Sequence, residues 1–140
     1  MSSETEAEAI RWLGFALGEL QAARSQPGRH VRPRIVAFQA QQAAEKALKA
    51  ALILEGMEPR RTHDLDDLRD RLPADWRVKW RMPDLGRLSD YAAESRYPDD
   101  MTPVTAIQSA TAVRQAIAVV RLVREDFDRH GIPTSRITPQ

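Results

Sequence analysis

Cysteine is absent from this chain. Its absence excludes disulfide frameworks, thiolate catalysis, zinc ribbons and iron–sulfur ligation in one step. Aromatic residues are scarce, at 6% of 140 residues, and the 6 glycines are scattered, so no glycine-rich loop is present to cradle a phosphate. No Ser-His-Asp arrangement and no metal triad stands out either. An autonomous nucleotide hydrolase or nucleotidyltransferase therefore finds no support, and neither a cofactor nor a metal is expected.

Long apolar runs are missing too. No uninterrupted run exceeds Ala50 to Leu54, far short of the roughly 20 residues that span a bilayer. Met1-Ser2-Ser3-Glu4 lacks the basic-then-apolar layout of a secretory signal. The expectation is a soluble, cytoplasmic protein without a membrane partner. A chain of this size buries about two thirds of its unfolded surface, enough for one core without staples.

Charge is balanced in total but not in place. Against 20 acids stand 21 Lys and Arg, of which only Lys46, Lys49 and Lys79 are lysines. Arg24, Arg29, Arg32 and Arg34 share a stretch with no acid in it, and Trp76-Arg77-Val78-Lys79-Trp80-Arg81 alternates cations with apolar side chains. Two readings of these stretches stand open. They form a basic track whose Trp rings stack on unpaired bases, or the Trp residues fill the space under an irregular loop while the arginines solvate the surface.

Periodicity points to helices throughout. Ile10, Leu13, Leu17 and Leu20 form one face of a first helix over residues 4–24, with Ser3 as N-cap and Pro27-Gly28 as its stop. Pro33 opens a second helix that runs to Glu55 and ends at Gly56. Val36, Ala40, Ala43, Ala47, Ala50 and Leu54 share its face, and such small side chains let a neighbouring backbone come close, so this helix is expected to be the most buried. Asp64 caps a short helix bearing Leu65, Leu68 and Leu72, and residues 73–83 carry no clear assignment. Residues 84–95 are helical again. Thr102-Pro103 reads as the start of a last helix, with Ile107, Ala110, Val113, Ile117, Val120 and Phe127 on its apolar face and His130 near its end. No segment alternates long enough for a strand. The expected fold is all-α, an up-and-down bundle of four to five helices, with one domain over 1–131 and a flexible tail over 132–140.

Three segments, in this order and spacing, carry a resemblance: Gln41-Gln42-Ala43-Ala44-Glu45-Lys46-Ala47-Leu48-Lys49-Ala50-Ala51-Leu52, Thr62-His63-Asp64-Leu65, and Ser95-Arg96-Tyr97-Pro98. The chain resembles the HEPN domain family, the helical nucleotide-binding domain of higher eukaryotes and prokaryotes. The resemblance covers nearly the whole chain. It implies a helical bundle, commonly a homodimer, that works beside nucleotide or RNA and in many cases with a minimal nucleotidyltransferase partner as toxin and antitoxin. Lys46, Lys49, His63, Arg96 and Tyr97 are the candidate nucleotide-binding residues: cations for a phosphate and a ring on which a base can stack. Their structural alternative is that Glu45, Lys49 and Arg96 pair with one another and merely fix the loops.

Ribonuclease members of the family share an Arg and a His with four to six residues between them on the last helix. Arg124 and His130 fit that spacing and are the candidate catalytic pair, although Glu125-Asp126 follow the Arg and carboxylates repel RNA phosphate. Arg24 and His30 fit it as well, but straddle the Pro27-Gly28 break. The preferred reading is a nucleotide- or RNA-binding module. A metal-independent endoribonuclease using Arg124 and His130 is the first alternative, a helical adaptor without ligand the second, and whether the chain is an enzyme stays open at this point.

Overall fold

A computed structural model of the chain describes residues 2–25, 32–82, 84–94 and 103–140. Within them lie helices α1 (Ser3–Arg24), α2 (Pro33–Leu54), α3 (Leu65–Asp70), α4 (Val78–Arg81), α5 (Gly86–Glu94) and α6 (Ala106–Arg129), then a 3-10 turn at Thr134–Arg136, and no strand. The all-α expectation holds. α4 supplies a short helix inside the segment that sequence periodicity left unassigned.

α2 is the hub. It packs against α1, α3, α5 and α6. Its alanines at 37, 40, 43, 44, 47, 50 and 51 are all fully buried, and with side chains this short the neighbouring helices approach closely. α1 runs antiparallel to it: Ser2 and Trp12 share a depression with Ile53 and Gly56, while Glu19 reaches Lys46 further along. Gly56 and Gly131, at φ 77° and 84°, let the chain leave α2 and α6 through left-handed turns. In each turn an amide reaches back five residues, Met57 to Leu52 and Ile132 to Phe127.

Two helix starts differ from the expected positions. Ser2, not Ser3, caps α1 by accepting from the Thr5 amide at 3.1 Å. α6 opens at Thr105 rather than Thr102, because Thr105 and Gln108 cap each other's backbone reciprocally, at 3.0 and 3.1 Å, and so satisfy two end donors together. That start also sets which face is buried. Ser109, Ala112, Ala116, Val119, Val123 and Phe127 point inward, where small residues meet the alanine surface of α2, whereas Ile107 is 78% exposed.

Residues 132–140 depart from the expected flexible tail. Ile132 and Thr134 are buried, and Asp128 accepts from the Thr134 amide at 2.8 Å and from its hydroxyl. The chain then crosses α1, where the Gln140 amide donates to the Gly14 carbonyl at 2.9 Å. Gly18 makes this crossing possible, since a Cβ there would fall 1.7 Å from the Gln140 carbonyl oxygen. The glycines of α1 form a notch for the passing backbone, a feature that composition alone does not announce.

Trp76 is wholly buried and meets Phe127 edge-on, with ring centres 6.0 Å apart, while Trp80 is 60% exposed. The two readings of that basic stretch thus divide: Trp76 fills the core and Trp80 faces solvent. Among the described residues no helix is long and apolar enough to cross a membrane.

Candidate functional site

Gln41, Glu45 and Lys49 follow one another at intervals of four along α2 and so stand on one face. The connector after Gly56 brings His63 to the same place. One Glu45 oxygen, Oε1, accepts from Gln41 Nε2 at 3.0 Å and from His63 Nδ1 at 2.7 Å, and the other, Oε2, accepts from Lys49 Nζ at 2.9 Å. Gln41 Nε2 also donates to the His63 carbonyl at 3.2 Å, which fixes the connector as well as its side chain. The Glu45 side chain is only 7% exposed. Burial pushes its carboxyl up, but the bonds from Gln41, His63 and Lys49 and the Lys49 charge outweigh that, and the pKa lies below its ordinary value of 4.5. The arrangement can hold and orient an imidazole. Its lysine, however, is already neutralised by the carboxylate it contacts.

Lys46 turns the other way. Its Nζ sits 2.7 Å from Glu19 Oε1 and ties α2 to α1. Of the five candidate nucleotide-binding residues, the structure therefore joins Lys49 and His63 through Glu45 and sets Lys46 on another flank. Arg96 and Tyr97 lie outside the described residues.

Arg124 and His130 occupy separate surroundings within the chain. Arg124 donates to the Thr134 carbonyl at 3.4 Å and lines a groove between α1, α6 and the C-terminal segment. His130 caps the end of α6, stacks on Trp76 with ring centres 4.8 Å apart, and directs Nε2 at Glu55 and Asp75. Their side chains point to different neighbours, in keeping with an angular separation of about 120° on a helix.

The groove is the second site of interest, and spacing rules did not reveal it. It comprises two adjoining depressions of about 520 and 370 Å³ that share Leu17, Leu20, Arg24 and Arg124, with Arg121 on the rim. Among the described residues none of Arg24, Arg121 and Arg124 has a carboxylate partner, whereas Lys46, Lys49, Arg69, Arg77 and Arg129 all do. Two acids line it as well: Glu125, paired with Arg77 at 3.4 Å, and Asp128, which accepts from the Thr134 amide and hydroxyl and keeps its charge. An apolar floor flanked by three guanidinium groups that form no ion pair among the described residues can take an anion with an apolar or aromatic body.

The sequence model of the HEPN domain family matches residues 9–129. The chain belongs to the HEPN family. It is also similar to a solved protein, TT1696 from Thermus thermophilus, at 30% identity and a TM-score of 0.73, over 84% of this chain and 96% of that one. No curated protein matches it. HEPN membership places the chain among nucleotide- and RNA-related helical modules and bears out the resemblance carried by the Gln41–Leu52, Thr62–Leu65 and Ser95–Pro98 segments. The matched region of this HEPN domain contains the Glu45 network and the α1 and α6 walls of the groove, while His130 and the docked C-terminal segment lie just beyond it.

Proposed function

We propose that this HEPN domain binds the phosphates of a nucleotide or an RNA chain in the groove between α1, α6 and the C-terminal segment. One observation carries the reading: Arg24, Arg121 and Arg124 surround a single apolar groove without carboxylate partners among the described residues, while the lysines of α2 are neutralised. Arginine forks suit phosphate oxygens, and the apolar floor suits a base or sugar. The Glu45 network has a supporting role. It anchors His63 and the connector to α3, and any contribution of Lys49 and His63 to nucleotide binding comes from that separate part of the molecule. The family setting supports action as a homodimer beside a minimal nucleotidyltransferase partner, in the manner of a toxin–antitoxin pair. An endoribonuclease role for Arg124 and His130 finds less support, because His130 Nε2 faces two carboxylates rather than the groove.

Calorimetric titration with ATP and with a short single-stranded RNA tests the proposal. Binding is expected to weaken with salt and to fall about tenfold or more in the Arg24→Ala/Arg124→Ala variant, with the log–log salt slope reduced by about 1 or more. A flat titration with both ligands contradicts it and favours the adaptor reading. Binding lost in His63→Ala yet kept in the groove variant moves the ligand to the His63 end, and RNA cleavage abolished by His130→Ala restores the endoribonuclease.

A further inference from the structure

Glu55, Asp75 and His130 come from three separate parts of the chain: the residue ending α2, the loop before Trp76, and the residue ending α6. One ligating atom from each lies within 4.8 Å of the other two. The histidine sits in a defined tautomer. Its Nδ1 lies 2.6 Å from the Asp126 carbonyl oxygen, which can only accept, so Nδ1 carries the proton and Nε2 is the atom turned toward the carboxylates. Outside the cluster itself, this is the bond that orients a metal-ligating histidine. Trp76 stacks on the imidazole and donates to Glu55 Oε1 at 2.6 Å, so ring and carboxylate are both held in place from behind.

The distances point the same way. Nε2 stands 3.5 Å from Glu55 Oε1 and 3.5 Å from Asp75 Oδ2, too far for a hydrogen bond to either. Ligand atoms about 2.0–2.2 Å from a tetrahedral ion stand about 3.4 Å from one another. Arg129, the neighbouring cation, donates to Asp126 and to the Asp75 backbone carbonyl, not to the Glu55 or Asp75 carboxylates.

We propose that Glu55, Asp75 and His130 bind one divalent first-row cation of the zinc type. One imidazole nitrogen and two carboxylate oxygens form a donor set that suits zinc, cobalt or nickel better than magnesium or calcium, and three protein ligands leave a position open for water or another oxygen. The ion would join the ends of α2 and α6 to the Trp76 loop. The site owes nothing to the arginine groove and stands or falls independently of it.

Zinc titration into chelator-stripped protein tests the site by calorimetry and thermal melting. One ion per chain is expected, with a melting temperature that climbs with the logarithm of free zinc. Asp75→Asn changes a side chain that is 56% exposed and should leave the fold intact while weakening zinc binding about tenfold or more; Glu55→Gln and His130→Gln should do the same. In a Trp12→Phe/Trp80→Phe background, cobalt bound here should quench the remaining Trp76 emission. No saturable binding up to about millimolar zinc, or undiminished binding in Asp75→Asn, overturns the proposal. Cobalt binding without any change in Trp76 emission overturns it too, even if His130→Gln fails to fold.

Discussion

The Glu45 network and the arginine groove both gather cations, yet their electrostatics are opposite. At Glu45 each positive group meets a buried carboxylate, so the network is neutralised from within and spends its charge on holding α2, His63 and the connector together. In the groove three arginines line an apolar depression, alongside Glu125 and Asp128, without an ion-pair partner among the described residues. The first pattern suits holding a fold together, and the second is the one on which the proposed anion site rests. Counting cations near a motif does not distinguish the two sites; asking which cations are already paired with a carboxylate does, and the proposed phosphate site rests on that difference.

The largest expected effect lies in the network. Glu45→Gln leaves Lys49 buried without its counter-ion and should cost about 3–5 kcal/mol in urea unfolding. The same network gives a signed pH dependence. Because the Glu45 pKa is held below 4.5, its contribution is fully present above that value and is lost as pH falls from there through the lower folded-state pKa. Acid unfolding of Glu45→Gln should therefore show a weaker dependence on pH below about 4.5 than the wild type shows, and thermal melts across about pH 2–6 would check this. If Glu45→Gln proves nearly neutral, the network is not the anchor described here.

Next in size is the tail. Gly18→Ala places a methyl group where the Gln140 carbonyl lies and should cost about 1–3 kcal/mol, or release residues 137–140 as read by amide hydrogen exchange. Since Ile137 and Pro139 line the groove, that variant should also weaken ligand binding. The smallest stability change is expected in the groove itself: Arg24→Ala should stay within about 0.5 kcal/mol of wild type, because it breaks no ion pair among the described residues, while still reducing affinity for RNA. A large loss of stability there would erase the contrast between the two regions.

Much of the fold is legible in the residues. Apolar spacing at Leu13, Leu17 and Leu20, the alanine face of α2 and the cap at Asp64 each follow from local rules that act within a few residues. The Glu45 network is half visible, since Gln41, Glu45 and Lys49 recur at intervals of four, but the arrival of His63 depends on a connector whose path no spacing rule fixes. The start of α6 is ambiguous in sequence because Thr102-Pro103 and Thr105-x-x-Gln108 are both good start signals, and in the fold the reciprocal cap prevails. The groove and the Glu55–Asp75–His130 cluster leave no linear signature at all. Their members are brought together by the packing of α1, α2 and α6, and the expectation of a loose tail conceals the wall formed by Ile137 and Pro139.

The most direct test of the contrast is one titration of short single-stranded RNA into three proteins: wild type, Arg24→Ala/Arg124→Ala, and His63→Ala. Affinity should fall about tenfold or more in the groove variant and stay within about twofold of wild type in His63→Ala. Loss of binding in His63→Ala with full binding in the groove variant would contradict the account.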